Sequence, residues 1–408
     1  MNRIGKRPRS RALTAVVTGL LISAVAGCSS SATPSPATPS PATATASATA
    51  AAATAAATAT ATAATATASA TAAASMPALP TTQMTGTVAF MVPDSTDSHW
   101  LSQDAVSFQT WMKQLAPNVK VLVLNATGDP TNQLNQAQAA LTQGATVLAV
   151  AAVDGAQAGK IALAAQAAKA NVIAYTRDIT GGPVTYMVGA DPHAIGVSLA
   201  NYMVSNTKAG DTIAIIAGDP ADSFAIAEHS GYMSVLQPLF DSGARIMVGN
   251  VWTPGWDTTK AHAEMDAILT SSHNNVQGAL TSNDSTAQGA IGALQTVGLA
   301  GKIPVTGVDA SLISDQLILK GLQSMSSWRS FDTQAQYTAE LSVYLLTGQT
   351  PPTVLFNGAT YNDGTADVPT MAVPSISITV SNMQQLIDNG TYTKADMCQG
   401  IPAGTGPC

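Results

Sequence analysis

The chain has 408 residues, enough for two ordinary domains with their own cores. Charged residues make up 10% of it, the net charge is −7, and no basic block follows the first dozen residues, which argues against a nucleic-acid partner because phosphate binding needs clustered Lys and Arg. Aromatics account for only 5%, so an aromatic in a loop at a strand end is a candidate binding residue rather than surplus core filler.

The chain opens on Arg3, Lys6, Arg7, Arg9 and Arg11, followed by an apolar stretch from Leu13 to Val25. That stretch is too short to span a bilayer and has the layout of an export signal. The run Ala24-Val25-Ala26-Gly27-Cys28 resembles a lipoprotein signal. The resemblance implies that Cys28 is acylated and becomes the first residue of the mature protein, with two or more acyl chains giving stable anchoring. The other reading is an ordinary secretory peptide cleaved at Ala24-Val25-Ala26, which leaves Cys28 an incidental thiol. Residues 29–82 are almost entirely Ala, Thr, Ser and Pro. They offer no hydrophobic period and cannot offset their ordering entropy, and the stiff branched Thr side chains argue against helix. The expectation is a flexible tether reaching on the order of 40 Å, with hydroxyls available for O-glycans.

From Gly86 the pattern changes to short β-rich runs alternating with helical, Ala-rich segments. Strands are expected at Thr87–Val92, Val119–Asn125, Thr146–Val150, Val172–Tyr175, Thr212–Ala217, Arg245–Val251, Val276–Leu280 and Pro304–Val308. Helices are expected at Asn132–Thr142, Ala156–Lys169, Ala194–Asn206, Thr258–Leu269 and Ser285–Val297. Regular alternation means parallel sheets with helices on both faces. The number of units is too large for one small sheet, so an α/β chain with two doubly wound sheets is expected. Cys398 and Cys408 stand ten residues apart at the C-terminus. In an exported protein they can form a tail-clipping disulfide; two free terminal thiols remain the alternative.

Several expected strands end in polar or aromatic residues for which a core has no use. Ligands bind beyond the C-terminal strand ends of open α/β sheets, so repeated polar endings point to one cleft lined from two sides. A sugar ring has apolar C–H faces and a rim of hydroxyls; aromatic rings cover the faces, while Asp, Asn and Arg satisfy the rim. Trp100 and Trp256 flank strand ends and are the candidates for the faces, with core packing the alternative for each. Trp111 lies mid-helix and reads as core. Arg177 and Asp178 follow a strand as adjacent charges, with a solvated loop pair as the alternative. Asn283 and Asp284 are rim candidates, although either is also a natural N-cap of the next helix. Asp309 and Arg329 carry the same ambiguity singly. Enzyme signatures are absent: there is no G-x-S-x-G, no H-E-x-x-H and no phosphate loop, since Ile303 follows Lys302 where Ser or Thr would be required. The five histidines are scattered, His262 and Glu264 read as a helix surface, and no Cys/His cluster has zinc spacing. No metal or cofactor is expected.

The residues Ser282-Asn283-Asp284-Ser285-Thr286-Ala287-Gln288-Gly289-Ala290, Gly298-Leu299-Ala300-Gly301-Lys302, Val305-Thr306-Gly307-Val308-Asp309-Ala310, Asn250-Val251-Trp252-Thr253-Pro254-Gly255-Trp256 and Asp367-Val368-Pro369 occur in an order that resembles the periplasmic sugar-binding proteins of the ribose/galactose type. Within that family the likeness is strongest to the D-xylose-binding proteins of ABC transporters, from about Val88 to Asp388. The resemblance implies a type I periplasmic-binding fold: two α/β lobes joined by three hinge strands, with the sugar between them. It implies a first lobe over 83–190, a second over 191–325, a return to the first over 326–350, and further crossings and a tail over 351–408. It implies that Trp100 and Trp256 stack on the sugar and that Arg177, Asn283, Asp309 and Arg329 bind its hydroxyls. Pocket departures are expected at His99 (for an arginine), Thr176 (for an aspartate), Ser223 (for an asparagine) and Arg329 (for a lysine). The implied partners are a monosaccharide, D-xylose first with glucose, galactose and arabinose as the alternatives, and an ABC transporter permease, with the protein itself a monomer. A sensor presenting its sugar to a membrane receptor is the alternative, and a sugar-active enzyme on a related fold a more distant one.

Overall fold

The computed structural model describes residues 83–408; the export signal, Cys28 and the tether lie outside the described residues. In chain order the first lobe begins with β1 (Gly86–Val92), α1 (Ala105–Leu115), β2 (Val119–Asn125), α2 (Pro130–Thr142), β3 (Ala145–Val150), α3 (Gly155–Ala167), β4 (Asn171–Tyr175) and β5 (Tyr186–Gly189). The second comprises α4 (Pro192–Asn206), β6 (Thr212–Ala217), α5 (Ser223–Asp241), β7 (Ile246–Trp252), α6 (Thr258–Ser271), β8 (Gly278–Thr281), α7 (Asp284–Thr296), α8 (Leu312–Leu319) and β9 (Ser326–Arg329). Then come α9 (Phe331–Thr347), β10 (Thr360–Asn362), β11 (Asp367–Ala372), β12 (Ser375–Ile378), α10 (Gln384–Asp388) and α11 (Lys394–Met397).

The first sheet runs β10-β11-β5-β4-β3-β1-β2, parallel except for β10. Along β1, Val88, Phe90 and Val92 enter one core layer and Ala89 and Met91 the opposite one. A strand buried on both faces has to read as a continuous apolar run, and β1 does. The second sheet has β7-β6-β8 in parallel, with Ile213 and Ile215 on one face and Ala214 and Ile216 on the other. Helix starts follow local chemistry. The Asp129 carboxylate accepts from the Thr131 and Asn132 amides with Pro130 at the first helical position, and Asp154, Asp191, Asp222 and Asp257 cap α3, α4, α5 and α6 in the same way.

The chain crosses between lobes three times: from β5 to α4, from β9 to α9 at Ser330, and from β11 to β12. α9 packs with α1 in the first lobe's core, while β9 belongs to the second lobe. It pairs antiparallel with β12, and Ser327 bridges to Val308. The return to the first lobe therefore starts at Ser330 rather than at residue 326, and residues 360–372 add two strands to the first sheet. Residues 304–308 do not form the expected strand. They make only isolated bridges, Ala279–Val305 and Val308–Ser327. Here the Thr306 hydroxyl takes over ladder duty, accepting from the Thr281 amide (2.9 Å) and donating to the Thr281 carbonyl (3.1 Å). After β12 the tail covers α8 with Met383, Leu386 and Met397, and a disulfide joins Cys398 to Cys408.

Candidate functional site

Seven strand-end segments converge on a cavity between the lobes. Asp97, His99 and Trp100 follow β1; Thr176 and Arg177 follow β4; Asp222 and Phe224 follow β6. Trp256 follows β7 and Asn283 follows β8. Val308 ends the irregular stretch 304–308 and Asp309 follows it, and Arg329 ends β9. This is where the strand-end rule places a ligand in a parallel sheet.

Trp256 lies at the cavity with its indole N–H donating to Asp222 Oδ2 (3.0 Å). Gly218, at the end of β6, makes room for the ring: a Cβ there would come within 2.2 Å of the indole. Trp100 opens a short π-helical turn, Trp100–Asp104, ahead of α1 and is buried. The Arg177 guanidinium lies 5.3 Å from its ring centroid, a cation–π contact. Arg177 also donates from Nε to Asp222 Oδ2 (2.8 Å) and from Nη1 to the Ala152 carbonyl (2.9 Å), so it joins the lobes. Asp97 makes a second junction, accepting from Asn283 Nδ2 (2.9 Å) and Ser285 Oγ (2.7 Å) across the cleft.

His99 is fixed from behind. Its Nδ1–H donates to Asp104 Oδ2 (2.6 Å), and Asp104, fully buried, also accepts from the Tyr175 hydroxyl. The imidazole stacks on Phe331 (centroids 4.5 Å apart, planes 10° apart), and its Nε2 stands 3.9 Å from Asp309 Oδ2. Arg329 pairs with Asp309 Oδ1 (3.1 Å) and Gln334 Oε1 (3.0 Å), and Gln334 in turn donates to the Thr176 hydroxyl.

Four non-glycine residues around this cavity hold left-handed backbone: Thr176 (φ 66°), Trp256 (φ 55°), Asp309 (φ 97°) and Ala310 (φ 46°). Such conformations are costly for residues with a Cβ and persist where the surroundings over-determine them. Here the Asp309 amide donates to the Ser327 carbonyl (2.7 Å) and the Ala310 amide to Ser326 Oγ (2.9 Å).

Burial, helped by the neighbouring Asp309 charge, pushes the Asp97 carboxyl up to about 6. Burial also lifts Asp222, against the opposing pull of Arg177 and of the Phe224 and Trp256 N–H donors. For His99, burial acts downward, but the Asp104 and Asp309 carboxylates outweigh it and raise its pKa. Charged groups, amides and indoles around one enclosed space suit a neutral polyol: rim donors and acceptors for hydroxyls, rings for C–H faces. Among the described residues no group of three or more His, Cys, Asp or Glu is placed to hold a metal ion.

Of the residues singled out in the sequence, His99, Trp100, Arg177, Trp256, Asn283, Asp309 and Arg329 meet at the cavity. Asp178, Ser223 and Asp284 are not on its wall. The Ser223 hydroxyl donates to the Asp178 carbonyl (3.3 Å), and both residues line a separate groove with Gly155 and Pro220. Ser223 is the first residue of α5 and turns away, while its neighbours Asp222 and Phe224 face in. The Asp284 carboxylate is consumed inside the second lobe by the Gln323 side chain, Ser326 Oγ and the Ser311 amide. Burial, then the charge of Asp309, lifts it to about 7. It borders only an adjoining cavity with Ser285 and Gln288. Asn283 reaches the cleft and caps α7 at once, accepting from the Thr286 amide (2.8 Å). Trp111, read as core, is half-buried against it and donates to Asp332 Oδ1 (3.0 Å).

Asp97, Asp222 and Phe224 were not singled out in the sequence. Asp97 sits in the loop that delivers His99 and Trp100, and Asp222 ends the polar run Gly218–Asp222, so position after a strand was a usable signal for both. Phe224 carried no signal, because a phenylalanine early in a helix reads as core.

Fold and site together define a two-lobed solute-binding protein. Residues 88–350 match the family model described as periplasmic binding protein domain, and the chain belongs to that family. It is similar to the D-xylose-binding periplasmic protein of Escherichia coli (strain K12), with 30% identity covering 68% of this chain and 83% of the relative. It is also similar to a multiple sugar-binding periplasmic receptor of Rhizobium radiobacter, with 29% identity over 76% of this chain and 92% of that one. A solved carbohydrate transporter solute-binding protein from Chloroflexus aurantiacus, in complex with D-glucose, superposes with a TM-score of 0.70 at 28% identity, covering 76% of this chain and 98% of that one. These relatives are binding proteins rather than enzymes, as is this chain.

Proposed function

We propose that this protein captures a monosaccharide, D-xylose, outside the cytoplasm and hands it to an ABC transporter permease. Cys28 is its lipid anchor, which membrane fractionation of the wild-type protein checks. The carrying observation is the cavity between the lobes, with Trp100 and Trp256 beside Arg177, Asn283, Asp309 and Arg329. The D-xylose-binding relative supports the sugar assignment. So does the economy of space: His99 packs on Phe331 and Thr176 is tied to Gln334, so neither small replacement leaves an evident gap for an exocyclic hydroxymethyl group. A second reading, D-glucose, is favoured by the bound sugar of the Chloroflexus neighbour. Sugar binding favours the lobes-together form by its differential affinity for that form over the open one.

Tryptophan fluorescence titration tests the proposal, because a sugar against Trp100 and Trp256 changes their emission. D-xylose is expected to saturate the change at micromolar concentrations. A response to D-glucose with none to D-xylose at millimolar levels overturns the pentose assignment alone. Silence to every monosaccharide in folded protein overturns the sugar-binding reading.

A further inference from the structure

Phe224 puts a ring without a hydrogen-bonding atom on the cavity wall. It is the second residue of α5; its amide donates to Asp222 Oδ1 (2.9 Å), and the Arg329 guanidinium lies 5.7 Å from its ring centroid. Both of those neighbours are charged groups on the cavity wall, so the ring interrupts the polar rim. Val308, also on the wall, adds a second apolar side chain outside the tryptophan pair. Neither side chain has an atom to pair with a hydroxyl, and a hydroxyl pressed against them loses its water without replacement.

We propose that Phe224, with Val308, makes this pocket select a pyranose whose rim lacks a hydroxyl at one position: the ring methylene of a pentose or the methyl of a 6-deoxyhexose. The inference rests on the sugar-binding reading and deepens it, because it makes exclusion of hexoses a matter of wall polarity as well as room. It also shifts attention from Ser223, which lies off the wall, to the residue beside it.

Calorimetric titration with D-xylose, 6-deoxy-D-glucose and D-glucose separates the possibilities. D-xylose is expected to bind, and 6-deoxy-D-glucose to bind about ten- to a hundredfold more tightly than D-glucose, the range an apolar pocket achieves against one added hydroxyl. In Phe224→Asn the preference for 6-deoxy-D-glucose over D-glucose should shrink to within about threefold, since the amide supplies a partner. Phe224→Leu should keep the preference, whatever happens to overall affinity; it guards against a misfolded Asn variant. Equal binding or equal rejection of D-glucose and 6-deoxy-D-glucose by the wild type overturns the inference. So does a Phe224→Asn variant that weakens every sugar in the same proportion, which is the behaviour of a ring that only supports Arg329. Failure of all three sugars to bind folded wild-type protein overturns the underlying sugar-binding reading instead.

Discussion

Arg329 is held on three sides: Asp309 and Gln334 by hydrogen bonds, and Phe331 by a ring centroid 4.9 Å from the guanidinium. It is only 2% exposed, and Asp309 only 9%. A buried pair of this kind is damaged more by losing one member than its net contribution suggests, because the survivor stays buried and unpaired. Ligand hydroxyls lose a charged partner at the same time. Arg329→Ala and Asp309→Ala are therefore expected to weaken sugar binding by about 2–4 kcal/mol, roughly 30- to 1,000-fold. Calorimetry measures this directly, and near-wild-type affinity in both variants would place the site elsewhere. Arg329→Lys is not a neutral exchange either, since an ammonium cannot reach Asp309 and Gln334 with one planar fork.

At the scale of elements, the tail is the part with least sheet to hold it. α10 and α11 are five and four residues long, too short to be stable alone. Leu386, Met383 and Met397 bury against α8, and the Cys398–Cys408 disulfide closes the last loop. Tyr392 extends the tail's reach: its hydroxyl donates to the Ala310 carbonyl (3.0 Å) in the second lobe and accepts from Gln103 Nε2 (3.2 Å) in the first. A loop closed over ten residues restricts the unfolded chain by about 2–3 kcal/mol in the chain-entropy account. Replacing both cysteines by serine is expected to lower the urea midpoint and to expose the tail to proteolysis ahead of the lobes. An unchanged midpoint together with an intact tail would show that apolar contacts alone fasten it.

For the whole molecule, the notable electrostatic feature is a set of buried or half-buried carboxyls whose proton affinity is raised. Burial is the first cause in each case: it pushes Asp97 and Asp178 to about 6 and Asp284 to about 7, and raises Glu228 well above the ordinary range. In the unfolded chain these groups ionise near their usual values, about 4. Between about pH 4 and pH 7 the folded state thus binds more protons than the unfolded one, and the stability these groups contribute is lost as pH rises through 6 to 7. The raised His99 acts in the same sense, its contribution fading as pH climbs past its folded value. Thermal unfolding is expected at a higher temperature at pH 5 than at pH 8. A midpoint that rises steadily from pH 5 to pH 8 would contradict this account of the buried acids.

The alternation of apolar runs and Ala-rich helical segments was enough to read two doubly wound sheets, because a strand buried on both faces and a helix stripe impose periods visible in a single chain. Strand-end position made Trp100, Trp256, Arg177, Asn283 and Asp309 candidates, since a parallel sheet presents its C-terminal ends to ligand, but it offered Asp178 and Asp284 equally and left each with a core, loop or cap alternative; the family resemblance is what placed these five and Arg329 together. What lay beyond the sequence was direction at single-residue scale. Asp222 is the extended N-cap of α5, and Ser223 and Phe224 are its first two helical residues, so helical periodicity does not relate the three directions, and only the docking of α5 against the cleft decided that the outer two face the cavity. Asp284 looked like a rim acid until the second lobe's own Ser311, Gln323 and Ser326 were brought to it across 27 to 42 residues of chain. The irregular course of residues 304–308 is accompanied by side-chain bonds running both ways between Thr306 and Thr281, 25 residues apart. Periodicity is local and survives in the sequence; which face of an element meets a partner from the other lobe is a long-range choice, made by packing.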